Sequence, residues 1–268
     1  MQIWILTFNR PEALNRLIYH FGSQNQKVNI FSNYPSVQIR EDNRKHIDKI
    51  IINSLNSEES NSWCARSWNT IMMKVFAKDE EAILIQDDTD ISMEFMNWIN
   101  EQKNKYDFIW GPAGDQFHYI RKSVLQKVGW WDERYIGCYA GDAEYLKRVY
   151  MNYDKDKISA QDSHNWGFVH NPCGLQNHVI TTYNSKTIDT NYENQHWEFE
   201  RISGDGGKTT ETNPTILHAQ QLFRDKWGID LDNGRPVIDS LNRKMPEIDW
   251  YPWATKKFEI TYYANNIT

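Results

Sequence analysis

The stretch that most constrains the fold is Ala82-Ile83-Leu84-Ile85-Gln86-Asp87-Asp88-Thr89-Asp90. A continuous apolar run of strand length ends in three carboxylates, the pattern of a strand buried on both faces of a parallel sheet. In open α/β sheets, ligands collect beyond the carboxyl ends of such strands. In an extended chain Asp88 and Asp90 point to the same side, because side chains two apart on a strand share a face. Two carboxylates aimed at one point repel unless a cation lies between them. Magnesium or manganese with a diphosphate meets that need, since these hard ions take one or two protein carboxylates and leave the other positions to phosphate oxygens and water. The stretch therefore points to a metal-dependent enzyme acting on a nucleoside diphosphate.

The neighbouring elements fit a nucleotide-binding α/β half. Residues 2–8 read as the first strand, with Ile3, Trp4, Ile5 and Leu6 apolar in succession. Pro11 suits the first turn of the next helix and Glu12 its positive end. Leu14, Leu17, Ile18 and Phe21 recur at helical spacing, and Gly22 supplies the stop. Residues 28–32 and 47–52 read as strands, and Ser62 caps a helix whose buried face is Trp68, Ile71, Met72, Val75 and Phe76. Strand, helix, strand, strand, helix, strand predicts a mainly parallel central sheet flanked by helices. There follow a helix over 92–104, a strand over 106–110, a turn over 111–115, a strand over 117–121 and a short helix over 123–128 ended by Gly129. Gly141-Asp142-Ala143-Glu144 opens another helix. Farther on the sequence is polar, with a strand expected at 166–170, a helix at 215–227 stopped by Gly228, and an irregular tail.

A chain of 268 residues accommodates one large α/β domain, expected over 1–228, with a C-terminal extension over 229–268. A net charge of -6 and a pI near 5.8 argue against a nucleic-acid partner, which leaves a basic footprint. A diphosphate would need local positive charge instead. Cys64, Cys138 and Cys173 are an odd, sparse set without paired metal spacing, which reads as reduced cytosolic thiols. No stretch has the pattern of a signal peptide or a membrane span, so a soluble, cytoplasmic protein is expected.

Four patches, in order, carry a family resemblance: Thr7-Phe8-Asn9-Arg10-Pro11, Asp88-Thr89-Asp90, Gly129-Trp130-Trp131-Asp132-Glu133 and Gly141-Asp142-Ala143-Glu144. The chain resembles nucleotide-sugar-dependent glycosyltransferases of the A-type (GT-A), Rossmann-like fold, closest to the large inverting family that opens with a Thr-x-Asn-Arg-Pro turn. The match spans roughly residues 2–153, with an echo in Leu222-Phe223-Arg224-Asp225-Lys226-Trp227-Gly228. The texture is also similar to the small soluble glycosyltransferases encoded by chlorella-infecting viruses, which would place the protein in host cytoplasm.

The resemblance implies a nucleotide-binding half over 1–104, an acceptor half over 105–228 and transfer of a hexose from a nucleoside-diphosphate sugar to a glycan or glycoprotein hydroxyl. Thr7, Asn9 and Arg10 would line the nucleobase and ribose pocket, with Asn33 where the family usually has an acid. An amide there still bonds a uracil edge. Arg66 would meet the diphosphate and Asp87 the ribose. Asp88, Asp90 and a later histidine, His170 ahead of His178 and His218, would hold Mn2+ or Mg2+. Asp142 would be the base, with Glu144 beside it; Asp142 is equally suited to cap a helix, and Glu144 to its first turn. Gly141, where the family usually shows an acid, leaves inversion or retention open. Trp130, Trp131, Tyr139 and Trp166 divide between an acceptor platform and core packing.

Two other readings fit the same residues. Asp88-Thr89-Asp90-Ile91-Ser92 also fits the nucleophile motif of haloacid-dehalogenase-like phosphatases. A carbohydrate-binding module without catalysis is the other, and the clustered carboxylates argue against it.

Overall fold

Strands β1 (Gln2–Thr7), β2 (Val28–Ser32), β3 (Ile47–Ile52) and β4 (Glu81–Gln86) lie parallel in the order β3-β2-β1-β4. This computed structural model describes residues 1–8, 10–34, 36–53, 64–112, 114–135, 141–161, 169–181, 221–226, 231–232 and 235–236. The β4 run is continuously apolar because both of its faces are covered. Ala82 and Leu84 pack on one side with Trp68, Ile71 and Val75 of helix α2 (Cys64–Phe76). Ile83 and Ile85 pack on the other with Leu14, Leu17 and Phe21 of helix α1 (Pro11–Ser23).

The sheet continues past β4 through β7 (Phe117–Arg121), β6 (Phe108–Trp110), β8 (Ile158–Gln161) and β9 (Val169–His170). β7 runs antiparallel between β4 and β6, β6 and β8 are parallel, and β9 is antiparallel to β8. The result is an eight-stranded, mostly parallel α/β sheet of Rossmann-like character. Helix α3 (Phe95–Gln102) joins α1 on one face, and α4 (Lys122–Val128) and α5 (Gly141–Asn152) join α2 on the other. Gly129 ends α4 with φ of 87°, the left-handed stop expected there.

Three features depart from the expectation. The chain does not run on extended through Asp90: a turn at Asp87-Asp88 ends β4, and β5 (Thr89–Ile91) leaves to pair antiparallel with β10 (Val179–Thr181). β8 was hidden in a stretch too polar to show strand periodicity. A two-strand ladder of β11 (Leu231–Asp232) and β12 (Arg235–Pro236) lies in the tail. The helix stop expected at Gly228 lies outside the described residues, as does most of the strand expected at 166–170. Among the described residues no helix is long and apolar enough to cross a membrane.

Candidate functional site

The carboxyl ends of β1 and β4 bring Thr7, Arg10, Asp87 and Asp88 together, all buried. Because β1 and β4 are in parallel register, with Leu6 beside Gln86, the residues just past each strand end meet. Thr7 donates its hydroxyl to Asp87 at 2.5 Å. The Arg10 guanidinium lies 3.3 Å from carboxylate oxygens of both Asp87 and Asp88. Burial pushes the Asp87 carboxyl up to about 6, aided by the Asp88 charge and opposed by Arg10 and Thr7.

Asp115 joins this group although the sequence reading did not single it out. It sits in the turn between β6 and β7, where Gly111 has φ of +131° and an added Cβ would lie 1.9 Å from the Gln161 carbonyl oxygen. Only glycine fits so close to another backbone. Burial raises the Asp115 carboxyl and the nearby Asp88 charge adds to it, against a hydrogen bond from Trp68. The signal was present, for Asp115 follows an apolar strand and a glycine turn much as Asp87 follows β4.

Helix α2 links Asp115 to Asn33 and to the Trp131–Glu133 segment. Four consecutive residues in its first two turns reach three places. Arg66 pairs with Glu133 at 3.3 Å. Ser67 exchanges hydrogen bonds with the Asn33 side chain at 2.8 and 3.1 Å. Trp68 donates to Asp115, and Asn69 donates to the Trp131 carbonyl and Glu133, each at 2.9 Å. Asn33 also accepts from Asn53 at 3.0 Å, so its amide is knitted into the protein. Arg66 is likewise engaged by Glu133, which the expectation of a diphosphate contact did not foresee.

The two expected acids of α5 part company. Glu144 is fully buried; Arg148 grips it through two bonds of 2.7 and 2.9 Å, and Lys226 reaches it at 2.5 Å. A carboxylate so enclosed by two cations is a structural anchor. Asp142 is half-buried at the helix start, where its Oδ1 accepts from the Ala143 amide at 2.8 Å. Lys226 also binds Asp132 at 2.7 Å. Burial would raise the Asp132 carboxyl, but hydrogen bonds and charge from Arg134 and Lys226 outweigh it and hold it well below the usual range. Burial pushes the Lys226 ammonium down to about 8, against the attraction of Glu144 and Asp132.

Several expected residues are not brought to this group. Asp90, carried off on β5, pairs with Arg16 at 2.8 Å and His20 at 3.2 Å. The extended geometry that would aim it alongside Asp88 is replaced by the turn, and a phosphatase pair aimed at one phosphorus is lost with it. His170 lies on β9, four strands from β4, and its Nε2 is 3.1 Å from the Lys155 carbonyl. At about 4.8 Å per strand it is too far to share an ion with Asp88. His178 stacks on Trp98, with 5.0 Å between ring centroids. Trp131 is buried and stacked on Tyr145 at 4.5 Å, so it is core and no platform. Asn9, Tyr139, Trp166 and His218 lie outside the described residues.

Among the described residues no three His, Cys, Asp or Glu side chains converge to hold a metal ion by themselves. Comparison with protein families gives no match, and comparison with curated proteins gives none. Solved structures do match. One is the crystal structure of S. aureus TarS 1–349, with a TM-score of 0.45 and 12% identity over 84% of this chain and 70% of that one. A likeness at that level carries no inference about chemistry.

Proposed function

We propose that the chain is a glycosyltransferase that moves a hexose from a nucleoside-diphosphate sugar, with uridine the first nucleoside to test, to a glycan or glycoprotein hydroxyl. The observation that carries this reading is the position of Asp88. It is buried at the carboxyl end of a parallel strand, its charge adds to the burial that raises both Asp87 and Asp115, and Arg10 is a cation that touches both Asp87 and Asp88. An added divalent cation would relieve that crowding of negative charge.

The donor set suits Mn2+ or Mg2+, hard ions that bind through one or two carboxylates and complete their shell with water and phosphate. Asp88 and Asp115 would hold the ion. When bound, it neutralises charge on the departing diphosphate. Arg10 stands at the same edge and adds a fixed positive charge there. Asp142 takes the proton from the acceptor hydroxyl, a task one carboxylate performs alone. It is the acid of the α5 first turn that reaches solvent, whereas Glu144 is closed in.

The test is calorimetric titration of uridine diphosphate into the full chain, with manganese and then with a chelator. Binding that depends on manganese is expected, followed by release of uridine diphosphate from a UDP-hexose when an acceptor sugar is added. Failure to bind any nucleoside diphosphate in either condition overturns the reading.

A further inference from the structure

We propose that Lys226 is a positioning residue for Asp142, and that the start of α5 takes its working place only when residues 221–226 dock. This rests on the reading of Asp142 as base. Asp132 and Glu144 come from different segments, and both are fully buried. The Lys226 ammonium stands between them, 2.7 Å from Asp132 Oδ2 and 2.5 Å from Glu144 Oε1. Without a cation there, two buried carboxylates would repel across the gap.

The rest of the network fixes what Lys226 joins. Arg148 forks onto Glu144 and donates to the Val128 carbonyl at 2.9 Å, which fastens α5 to the end of α4. Arg134 forks onto Asp132 at 2.9 and 2.8 Å from a half-exposed position. The wholly buried charges therefore match, Lys226 and Arg148 against Asp132 and Glu144. Lys226 arrives on a helical segment whose Phe223, three residues earlier and so on the same face, is also fully buried. An apolar side chain and a buried ammonium thus dock together.

The geometry explains why this bears on Asp142. Asp142 and Glu144 share one helical turn, so a shift that releases Glu144 carries Asp142 with it. Lys226 is itself 5% exposed and occupied by two carboxylates, so it acts through α5 and touches no substrate. Arg10, Asp87 and Asp88 meet at the carboxyl ends of β1 and β4, whereas Lys226 bonds Asp132 and, at the start of α5, Glu144, which separates donor binding from base placement.

The experiment compares the full-length wild type with Lys226→Met, Lys226→Arg and the charge-matched double variant Lys226→Met/Asp132→Asn. Three readouts are taken: manganese-dependent binding of uridine diphosphate, kcat and KM for a UDP-hexose, and amide hydrogen exchange along α5. In Lys226→Met and the double variant, kcat should fall about 100-fold, the cost of a misplaced group of about 1 Å. Donor KM and nucleotide binding should stay unchanged, and Lys226→Arg should recover part of kcat. Exchange should quicken at least about tenfold over residues 145–148, the first amides of α5 held by its own hydrogen bonds, and not in β1 or β4, as local opening does. Unchanged kcat, or donor binding lost together with kcat, overturns the proposal. If the wild type transfers no hexose, the parent reading fails by itself, and unchanged exchange in α5 then also removes the Lys226 network.

Discussion

Trp68 donates its indole N–H to the buried carboxylate of Asp115 across 2.9 Å. That bond ties a helix packed against β4 to the turn between β6 and β7, and it supplies a fixed partner to a carboxyl group that burial otherwise drives toward its neutral form. Trp68→Phe keeps most of the ring and removes the donor. Leaving a buried acceptor without it should cost about 1–3 kcal/mol, read as a lower urea midpoint at unchanged m-value.

Asp88 and Asp90 should behave differently when each is changed to Asn. Asp88→Asn is expected to abolish manganese-dependent nucleotide binding, since Asp88 lies with Asp87, Asp115 and Arg10. Asp90→Asn should leave that binding intact and cost about 1 kcal/mol of stability through its partly exposed pairs with Arg16 and His20. Equal loss of binding in both variants, measured by calorimetry, would restore the metal pair that an extended chain would have made.

The acids of α5 offer a second contrast. Asp142→Asn keeps an oxygen for the Ala143 amide and should change stability by less than about 0.5 kcal/mol while abolishing transfer. Glu144→Gln leaves Lys226 and Arg148 facing a neutral amide in the interior, and disrupting a buried pair of this kind costs about 3–5 kcal/mol. Thermal unfolding with activity assays on both proteins separates the roles, and a stable, active Glu144→Gln would refute the anchor.

Asp87 sets an unusual pH dependence. Its carboxyl is raised to about 6 in the folded chain by burial and by Asp88, while an unfolded carboxyl titrates near 3.8. Its protonated form is favoured in the fold, so its stabilising contribution is complete below the unfolded value and disappears as pH rises through about 6. A shift of this size is of the order of 3 kcal/mol, and Asp115 is raised in the same direction. In chelator, Tm should rise on going from pH 7 to pH 5, until the depressed pairs of Asp90 and Asp132 begin to fail at lower pH. In Asp87→Asn the rise should shrink.

The N-terminal half was the most legible part, because β4 and α1 are buried on regular periodicities that local sequence displays directly. Gly129 and the α5 start were legible for the same reason, as caps act within one turn. What escaped depended on long-range pairing. β5 and β10 are three-residue strands whose only argument for being strands is each other, 90 residues apart at the Ile180–Asp90 pair. Asp90 consequently looked like a partner of Asp88 when the backbone had already turned. Glu144 looked like a helix-start acid because its buried cations come from Arg148, one turn on, and from Lys226, far along the chain.

Four adjacent residues of α2, Arg66 to Asn69, hold three parts of the molecule: the Trp131–Glu133 segment, Asn33 and Asp115. An α-helix turns 100° and climbs about 1.5 Å per residue, so the directions of these four side chains are set by helical phase alone. A single inserted or deleted residue ahead of them within the helix would rotate all four contacts out of register together. Changes of side chain can be tuned one contact at a time, but changes of length cannot. Length variation is therefore excluded from this turn and left to the connections around it, which makes α2 the ruler against which the remaining segments are measured.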